Sequence, residues 1–271
     1  MSGARGSCPR CGTPYDAARL GACPRCFLHG ALEPVVLSDG ALELEDEVAR
    51  DVLGVVYRAR DRRTGGRVAV RFLPAAREPS RERDAFLECE LRALLGLRHA
   101  HILPLIAVGA EGGERYVVSE MPAGRPLSRA LPGPTRRAVD VALQVCEAIA
   151  HAHARGVVHG DLGLDDVFID GAGRATVTRL GLASAFAAAP PRPEADVAAV
   201  VAILSRALAV REDMDLLPAA LERLMRTAFA SAPELRGALA AALADLDRPA
   251  APPWRSVRGV SLDGRGAGEG R

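Results

Sequence analysis

Carboxylates and a histidine lie close together in the stretch VVHGDLGLDDVFID, residues 157–170, which has the outline of a catalytic loop. His159 is followed two places later by Asp161, and an acidic pair ending at Asp166 precedes an apolar strand. A carboxylate in such a loop can act as a general base, and a second one can hold a hard cation. Two glycines of the stretch, however, stand where a loop that handles phosphate would need charge. The stretch therefore predicts either an active catalytic loop or a loop that keeps the shape of one without its activity.

Two cysteine pairs near the N-terminus predict a structural zinc site. Each pair has the spacing C-x2-C, and 11 residues separate the pairs, which suits four thiolates around a tetrahedral ion at about 2.3 Å per bond. A module of residues 1–30 buries too little surface to fold alone, so the metal would supply the folding free energy. Free thiols and disulfides are the alternatives, although a cytosolic setting disfavours disulfides. The predicted zinc ligands are Cys8, Cys11, Cys23 and Cys26.

Composition and charge exclude several classes of protein. The chain has 271 residues, 49% of them apolar, and 35 basic against 34 acidic side chains give a net charge of +1. This balance draws the chain to neither nucleic acid nor a membrane surface. No apolar run reaches the ~18 residues of a spanning helix and no signal peptide is evident, so we expect a cytoplasmic protein. Lys and Asn are absent, which suggests a coding bias and weakens any inference from a single Lys→Arg exchange.

The spacing of apolar residues predicts a β-rich segment followed by a helical one. Three strand patterns fill residues 42–73, a helix is predicted at about 80–97, and two further strands follow before Gly124. Beyond Gly124 the apolar residues recur at three- and four-residue spacing. The helices predicted there are 135–155, 195–210, 217–231 and 233–246. This order predicts two lobes of the α+β kind, and the tail 248–271, rich in Pro, Gly and Arg, is expected to be disordered.

Five motifs together resemble a bacterial Ser/Thr protein kinase domain. In chain order they read GVVYRARDRRTGGRVAVRFL, LRHAHILPL, HGDLGLDDVFID, LGLA and ADVAAVVAIL. The resemblance implies a two-lobed kinase fold over residues 42–247, with a small N-lobe at about 42–121 and a helical C-lobe at about 125–247. The module 1–30 is similar to the zinc ribbons found ahead of some bacterial kinase domains, and residues 31–41 are expected to be a linker.

The family's phosphate-binding residues are altered in this chain. Its glycine-rich loop, G-x-G-x-x-G, corresponds to Ala49, Asp51 and Gly54, so only the last glycine remains. Asp51 would place a carboxylate near the phosphates, unless the loop is simply an ordinary β-turn. The family's Lys in V-A-I-K corresponds to Arg71, and its helix partner to Glu90. A guanidinium can keep that ion pair but does not replace the Lys charge faithfully.

The catalytic loop and the metal-binding motif also depart from the family. The resemblance makes Asp161 the catalytic base, and it places Gly163 where the family has a helper cation. Asp166 replaces the metal-binding Asn and could still hold a hard cation. Arg179 replaces the metal-chelating Asp of D-F-G, and a guanidinium cannot ligate Mg²⁺. We expect Arg179 either to fill the metal position and pair with Asp161 or Asp166, or to point into solvent.

Other residues match the family's nucleotide cleft and its structural frame. We expect His159 to pack and to bond the backbone rather than to move protons. An activation segment with its A-P-E anchor is missing between LGLA and ADV. The residues matched to the cleft, besides Gly54, are Val56, Ala69, Glu120, Met121 and Phe168.

The sequence as a whole predicts a pseudokinase that carries structural zinc and binds ATP and Mg²⁺ poorly or not at all. Its role would be regulation or scaffolding, with an active kinase or another signalling protein as partner and no membrane. The first alternative is a weak or atypical Ser/Thr kinase that uses Asp161 and Asp166 for metal. The second is a regulator that associates with nucleic acid through the ribbon, which is disfavoured because only Arg10 and Arg25 lie in the cysteine knuckles. Nucleotide binding without catalysis is a third possibility.

Overall fold

The computed structural model describes residues 6–7, 14–15, 36–37, 40–74, 91–111, 114–183, 191–210 and 217–247. Near the N-terminus, strands β1 (Gly6–Ser7) and β2 (Pro14–Tyr15) pair antiparallel with each other. The four predicted zinc ligands, the predicted tail and Glu90 lie outside the described residues.

A six-stranded antiparallel sheet with the order β3-β4-β5-β6-β8-β7 follows in the chain. Its strands are β3 (Val36–Leu37), β4 (Leu42–Asp51), β5 (Gly54–Asp61), β6 (Arg67–Phe72), β7 (Leu105–Glu111) and β8 (Glu114–Glu120). Strand β3 lies within the segment expected to be a linker, and the side chain of Leu37 is buried against the sheet. The sheet therefore starts earlier in the chain than the strand pattern predicted.

The two faces of this sheet bury different sets of side chains, because successive residues of a strand point to opposite sides. Val68 and Val70 lie on the outer face, in a cluster with Ala59 and Val118. Arg71 lies on the other face, opposite Val56 and Val117 in the register, and Val117 belongs to the main core that the helices build. This inner face is thus the one turned towards the second lobe.

The second lobe is built mainly from helices around one apolar core. Residues 91–95, which end the predicted helix 80–97, are helical and pack with this core. The remaining helices are α1 (Leu127–Ala130), α2 (Thr135–His153), α3 (Pro193–Ala209), α4 (Ala219–Arg226) and α5 (Ala232–Leu246). Helix α4 ends five residues before the predicted end at 231, because Thr227 has an extended backbone with φ −88° and ψ 133°. Ser231 caps α5 by accepting a bond from the Glu234 N–H. None of the helices among the described residues has the length and apolarity to cross a bilayer.

A small three-stranded sheet connects the two lobes near the predicted catalytic loop. Its strands are β9 (Arg125–Pro126), β10 (Val167–Ile169) and β11 (Ala175–Val177), in the order β11-β10-β9. The Leu103 N–H donates to the Val177 carbonyl at 2.8 Å, which ties the segment before β7 to β11. The predicted order of a β-rich lobe followed by a helical lobe is confirmed.

Candidate functional site

The loop between α2 and β10 is held in place by one buried carboxylate on α3. Asp196 accepts hydrogen bonds from the backbone N–H groups of His159 at 2.7 Å and Gly160 at 2.9 Å, and its Oδ2 lies 2.9 Å from His153 Nε2. Burial on its own would raise the pKa of Asp196, but these hydrogen bonds outweigh it and hold the pKa below the ordinary value. Asp196 therefore stays ionised and fixes the loop on the core of the second lobe.

His159 has the structural role that the sequence predicted. Its side chain is 1% exposed, and its Nε2 lies 3.0 Å from the carbonyl oxygen of Thr178. With the ring packed and one nitrogen bonded to the backbone, His159 has no open path to a substrate. It instead links the loop to the segment that follows β11.

Asp166 is a fully buried carboxylate whose two oxygens both have donors within the protein. The N–H of Gly163 donates to Oδ2 at 2.8 Å, and the Nε of Arg179 donates to Oδ1. The backbone of Asp166 also accepts from the N–H of Thr178 at 2.8 Å, which sets Arg179 one residue further on. Of the two pairings expected from the sequence, Arg179 makes the one with Asp166.

Arg179 has an unusual backbone for a residue other than glycine. Its φ is 57°, in the left-handed region, which costs of order 1 kcal/mol or more for a non-glycine residue. Its Nη1 donates to Oδ2 of Asp51 at 3.2 Å. The hydrogen bond to Asp166 raises the pKa of Arg179, and this effect outweighs burial, which lowers the pKa. The charges of Asp51 and Asp161 raise it further. The guanidinium is therefore permanently charged and held by carboxylates from both lobes.

Asp51 lies at the end of β4 and connects two guanidinium groups. Its Oδ1 accepts from Arg71 Nη1 at 2.6 Å and from the Leu53 N–H at 2.8 Å, while its Oδ2 accepts from Arg179. Burial would raise the pKa of Asp51, but the hydrogen bond and charge of Arg71, the Leu53 N–H and the charge of Arg179 together lower it. Ion pairs thus run without interruption from β6 to the buried carboxylate Asp166.

We call the four residues Arg71, Asp51, Arg179 and Asp166 the cleft ion chain. Their side chains are 12%, 30%, 18% and 1% exposed, respectively, so Asp51 is the most exposed of the four and Asp166 the most buried. Two cations and two anions alternate, and their formal charges cancel. The cleft ion chain joins the inner face of the six-stranded sheet to the loop that holds Asp166.

The turn between β4 and β5 carries one side chain into the protein interior. Val52 is 83% exposed, whereas Leu53 is 6% exposed and belongs to the main core. Gly54 has a φ of 109°, and a Cβ at this position would lie 1.8 Å from the carbonyl oxygen of Phe72. The loop is therefore the tight β-turn that one interpretation predicted, but Asp51 is not idle in it.

Asp161, the predicted base, is exposed at the edge of the cleft ion chain. Its backbone N–H donates to Nδ1 of His159 at 3.4 Å. Among the described residues its carboxylate makes no hydrogen bond, and it acts on Arg179 through its charge. The carboxylate of Asp161 is thus open to a cation that approaches from solvent.

The donor set of the site does not fit a divalent cation. The two oxygens of Asp166 are taken by Arg179 and Gly163, and a guanidinium offers no lone pair to a metal. In the part of the chain that the structure describes, no three or more metal-ligating side chains are grouped to hold an ion.

Of the residues matched to the nucleotide cleft, Val56 and Ala69 lie on the inner face of the six-stranded sheet with Arg71. Val56 and Ala69 are 9% and 6% exposed on β5 and β6. Phe168 is half-buried on β10, where it pairs with Thr176. Glu120 ends β8 with an exposed side chain and is followed by the half-buried Met121. Their place in the sheets agrees with the predicted cleft, but a role in binding remains a prediction.

Sequence reasoning missed the bond between Asp51 and Arg71, which the register of the sheet explains. In the sheet register Val56 pairs with both Ala49 and Arg71. Since residues two apart share a face, Asp51 must lie on the side of Arg71. The pair predicted between Arg71 and Glu90 cannot be compared with this, because Glu90 lies outside the described residues.

Comparison with known proteins places these features in a family. A model of the protein kinase domain matches residues 43–200, more than half of the chain. Serine/threonine-protein kinase Pkn1 of Myxococcus xanthus is 33% identical over 171 residues, which cover 62% of this chain and 25% of Pkn1. Serine/threonine-protein kinase PknA of Mycobacterium tuberculosis is 32% identical over 164 residues, which cover 57% of this chain and 38% of PknA. The chain thus spans well under half the length of these relatives.

A solved structure agrees with the architecture. The crystal structure of the Mycobacterium tuberculosis PknI kinase domain matches with a TM-score of 0.62 at 19% identity, covering 74% of this chain and 96% of that one. This likeness concerns the fold alone. Together with the family match and the two relatives, it leads to one conclusion: the chain belongs to the protein kinase family and has bacterial Ser/Thr protein kinases among its relatives.

Proposed function

We propose that this protein is a pseudokinase, with little or no Mg²⁺-dependent phosphoryl transfer and with a regulatory or scaffolding role towards an active kinase or another signalling protein. The observation that carries the proposal is the guanidinium of Arg179, which bonds the buried carboxylate of Asp166. The resemblance assigns both positions to metal binding. The guanidinium of Arg179 therefore lies where catalysis would need a bound metal ion.

The chemistry of phosphoryl transfer supports this proposal. The reaction depends on positioning and on cations that neutralise the charge developing on the transferred group. Metal ligation at Arg179 and the helper cation at Gly163 are both missing, and each 1.36 kcal/mol of lost transition-state stabilisation slows the reaction tenfold. If each loss costs about 3 kcal/mol and the losses add, the rate falls by about four orders of magnitude.

The proposal is tested by a phosphoryl-transfer assay on the purified full chain. The protein is incubated with radiolabelled ATP, Mg²⁺ or Mn²⁺ and a generic protein substrate, beside the variant Asp161→Ala. We expect the same background incorporation from both proteins. Incorporation by the unaltered chain that disappears in Asp161→Ala would overturn the proposal.

One observation favours a second candidate, a weak or atypical Ser/Thr kinase. Asp161 remains exposed, and Arg179 does not bond it, so the predicted base is still accessible. The relatives Pkn1 and PknA are also named serine/threonine-protein kinases. Transfer that depends on Asp161 and increases with Mn²⁺ concentration in the same assay would favour this candidate.

We also propose that Cys8, Cys11, Cys23 and Cys26 bind one structural zinc ion. The pairing of β1 with β2 supports this, because the two strands flank the first cysteine pair in the sequence and Ser7 lies opposite Pro14. Metal analysis of the purified chain should find about one zinc per chain, as a four-thiolate site requires. The double variant Cys8→Ser, Cys11→Ser should lose it, while Cys146→Ser, which changes a buried thiol in α2, should keep it.

A further inference from the structure

We propose that Arg71 and Arg179 form an anion-binding site that the protein's own Asp51 carboxylate occupies, and that a metal-free polyphosphate can displace this carboxylate. The inference rests on the proposed function, because it takes Arg179 to stand where the family would place a metal ion. It adds a ligand class and a mode of self-occupation that catalytic inactivity alone does not imply.

The geometry at Asp51 is that of an oxyanion held between two arginines. Arg71 Nη1 lies 2.6 Å from Oδ1, and Arg179 Nη1 lies 3.2 Å from Oδ2. Each guanidinium thus bonds a different oxygen of the same carboxylate. Guanidinium groups bind phosphate and carboxylate oxygens with the same fork of N–H donors. A phosphate oxygen pair could therefore take the place of the two oxygens of Asp51.

The side chains of the two arginines are more buried than the carboxylate between them. Arg71 lies on β6, a central strand, and Arg179 is anchored by the buried Asp166. Asp51 is the last residue of β4 and has the most exposed side chain of the cleft ion chain, at 30%. The buried side chain of Leu53 holds the turn in place. Asp51 can therefore leave by rotating its own side chain, without a change in the sheet.

The charges decide which form of a polyphosphate fits. When Asp51 turns away, two guanidinium groups face Asp166 alone, and the site gains a net positive charge. Asp161 at the exposed edge adds a negative charge that water screens and that keeps the affinity modest. A metal-free polyphosphate supplies the missing negative charge, whereas Mg²⁺ would neutralise the phosphates and bring a cation towards Arg179. Mg²⁺ should therefore weaken binding, the opposite of its effect in Mg²⁺-dependent phosphoryl transfer.

The direct test compares Asp51→Asn with the unaltered chain by calorimetric titration in EDTA. The asparagine keeps the shape but removes the competing charge, so we expect ATP and inorganic triphosphate to bind about tenfold more tightly to this variant. Glu47→Gln is the matched control, because Glu47 is an acidic residue of the same strand that pairs with the exposed Arg50. The control should bind as the unaltered chain does, and excess Mg²⁺ should weaken binding to all three proteins.

The possible results of this titration distinguish failure of the inference from failure of the proposed function. Equal gains for triphosphate and ATP would show that the phosphates alone are recognised, and a larger gain for ATP would add a contact to the base; both support the inference. Asp51→Asn binding no more tightly than Glu47→Gln, or only with Mg²⁺ present, would overturn it. Phosphoryl transfer that depends on Asp161 would instead overturn the proposed function, and it is measured in a separate assay.

A measurement on the unaltered chain covers the case in which Asp51→Asn fails to fold. The Leu53 N–H bonds the Asp51 carboxylate at 2.8 Å, so displacement of that carboxylate frees this amide. Hydrogen exchange of the turn peptide should become several-fold faster with triphosphate in EDTA. Unchanged exchange at saturating triphosphate would contradict the inference.

Discussion

Among single residues, Asp166 and Arg179 depend on each other most strongly. A carboxylate on a side chain that is only 1% exposed, as in Asp166, is tolerated only when it is paired and hydrogen-bonded. Gly163 supplies one donor, and Arg179 supplies the charge. The left-handed backbone of Arg179 suggests that this ion pair also offsets some local strain.

Replacing Arg179 by Met should destabilise the fold by about 3 kcal/mol, because it leaves the charge of Asp166 buried without its partner. Arg50→Met is the matched control, since Arg50 and Glu47 pair at the surface with side chains 63% and 39% exposed. The control should cost less than about 1 kcal/mol. Urea unfolding of the three proteins measures both values. Equal losses of unfolding free energy in the two variants would show that the Arg179–Asp166 pair stabilises the fold no more than the surface pair does.

The lowered pKa of Asp51 gives the cleft ion chain a defined pH dependence. Its folded pKa lies below the ordinary value of about 3.9, so its stabilising contribution is complete above that value and is lost as the pH falls through the folded pKa. The unfolding free energy of the unaltered chain should therefore exceed that of Asp51→Asn by a constant amount from about pH 5 to 7. Below about pH 4 the difference should shrink. A difference that grows on acidification would contradict this assignment.

At the scale of elements, the turn between β4 and β5 does two jobs. Asp51, just before the turn, pairs with two arginines of the cleft, and Leu53 within the turn packs into the core. The period of two predicts that Asp51 shares a face with Ala49, beyond the two irregularities of β4. It cannot predict that Leu53 is buried, because that depends on how closely the two lobes approach each other.

Leu53→Ala should destabilise the protein by about 2 to 3 kcal/mol, as expected when a buried Leu is truncated. Val52→Ala changes the neighbouring residue of the same turn, which is 83% exposed, and should alter stability by less than about 0.5 kcal/mol. Thermal unfolding of the two variants beside the unaltered chain gives the comparison. Similar small losses of stability in both variants would mean that the turn between β4 and β5 does not pack into the core.

At the scale of the whole molecule, the sequence predicts the order of the lobes well and their contacts poorly. Helix and strand periodicity, together with the family motifs, predict the sheet, the loop around Asp161 and the helices α2, α3 and α5. The contact of Asp51 with Arg179 joins residues 128 positions apart and depends on side-chain conformation that no local pattern encodes. The sequence likewise did not predict that Asp196 bonds the backbone of the loop at His159 and Gly160, although Asp196 lies in the motif ADVAAVVAIL.

The account as a whole depends on Arg179 standing in for a metal ion. Electron paramagnetic resonance of Mn²⁺, titrated with the full chain in the presence of ATP, measures this directly because bound and free Mn²⁺ give different spectra. We predict that Mn²⁺ binding to the unaltered chain will be no different from binding to the variant Asp161→Ala, Asp166→Asn. A bound Mn²⁺·ATP complex in the unaltered chain that this double variant loses would contradict the account.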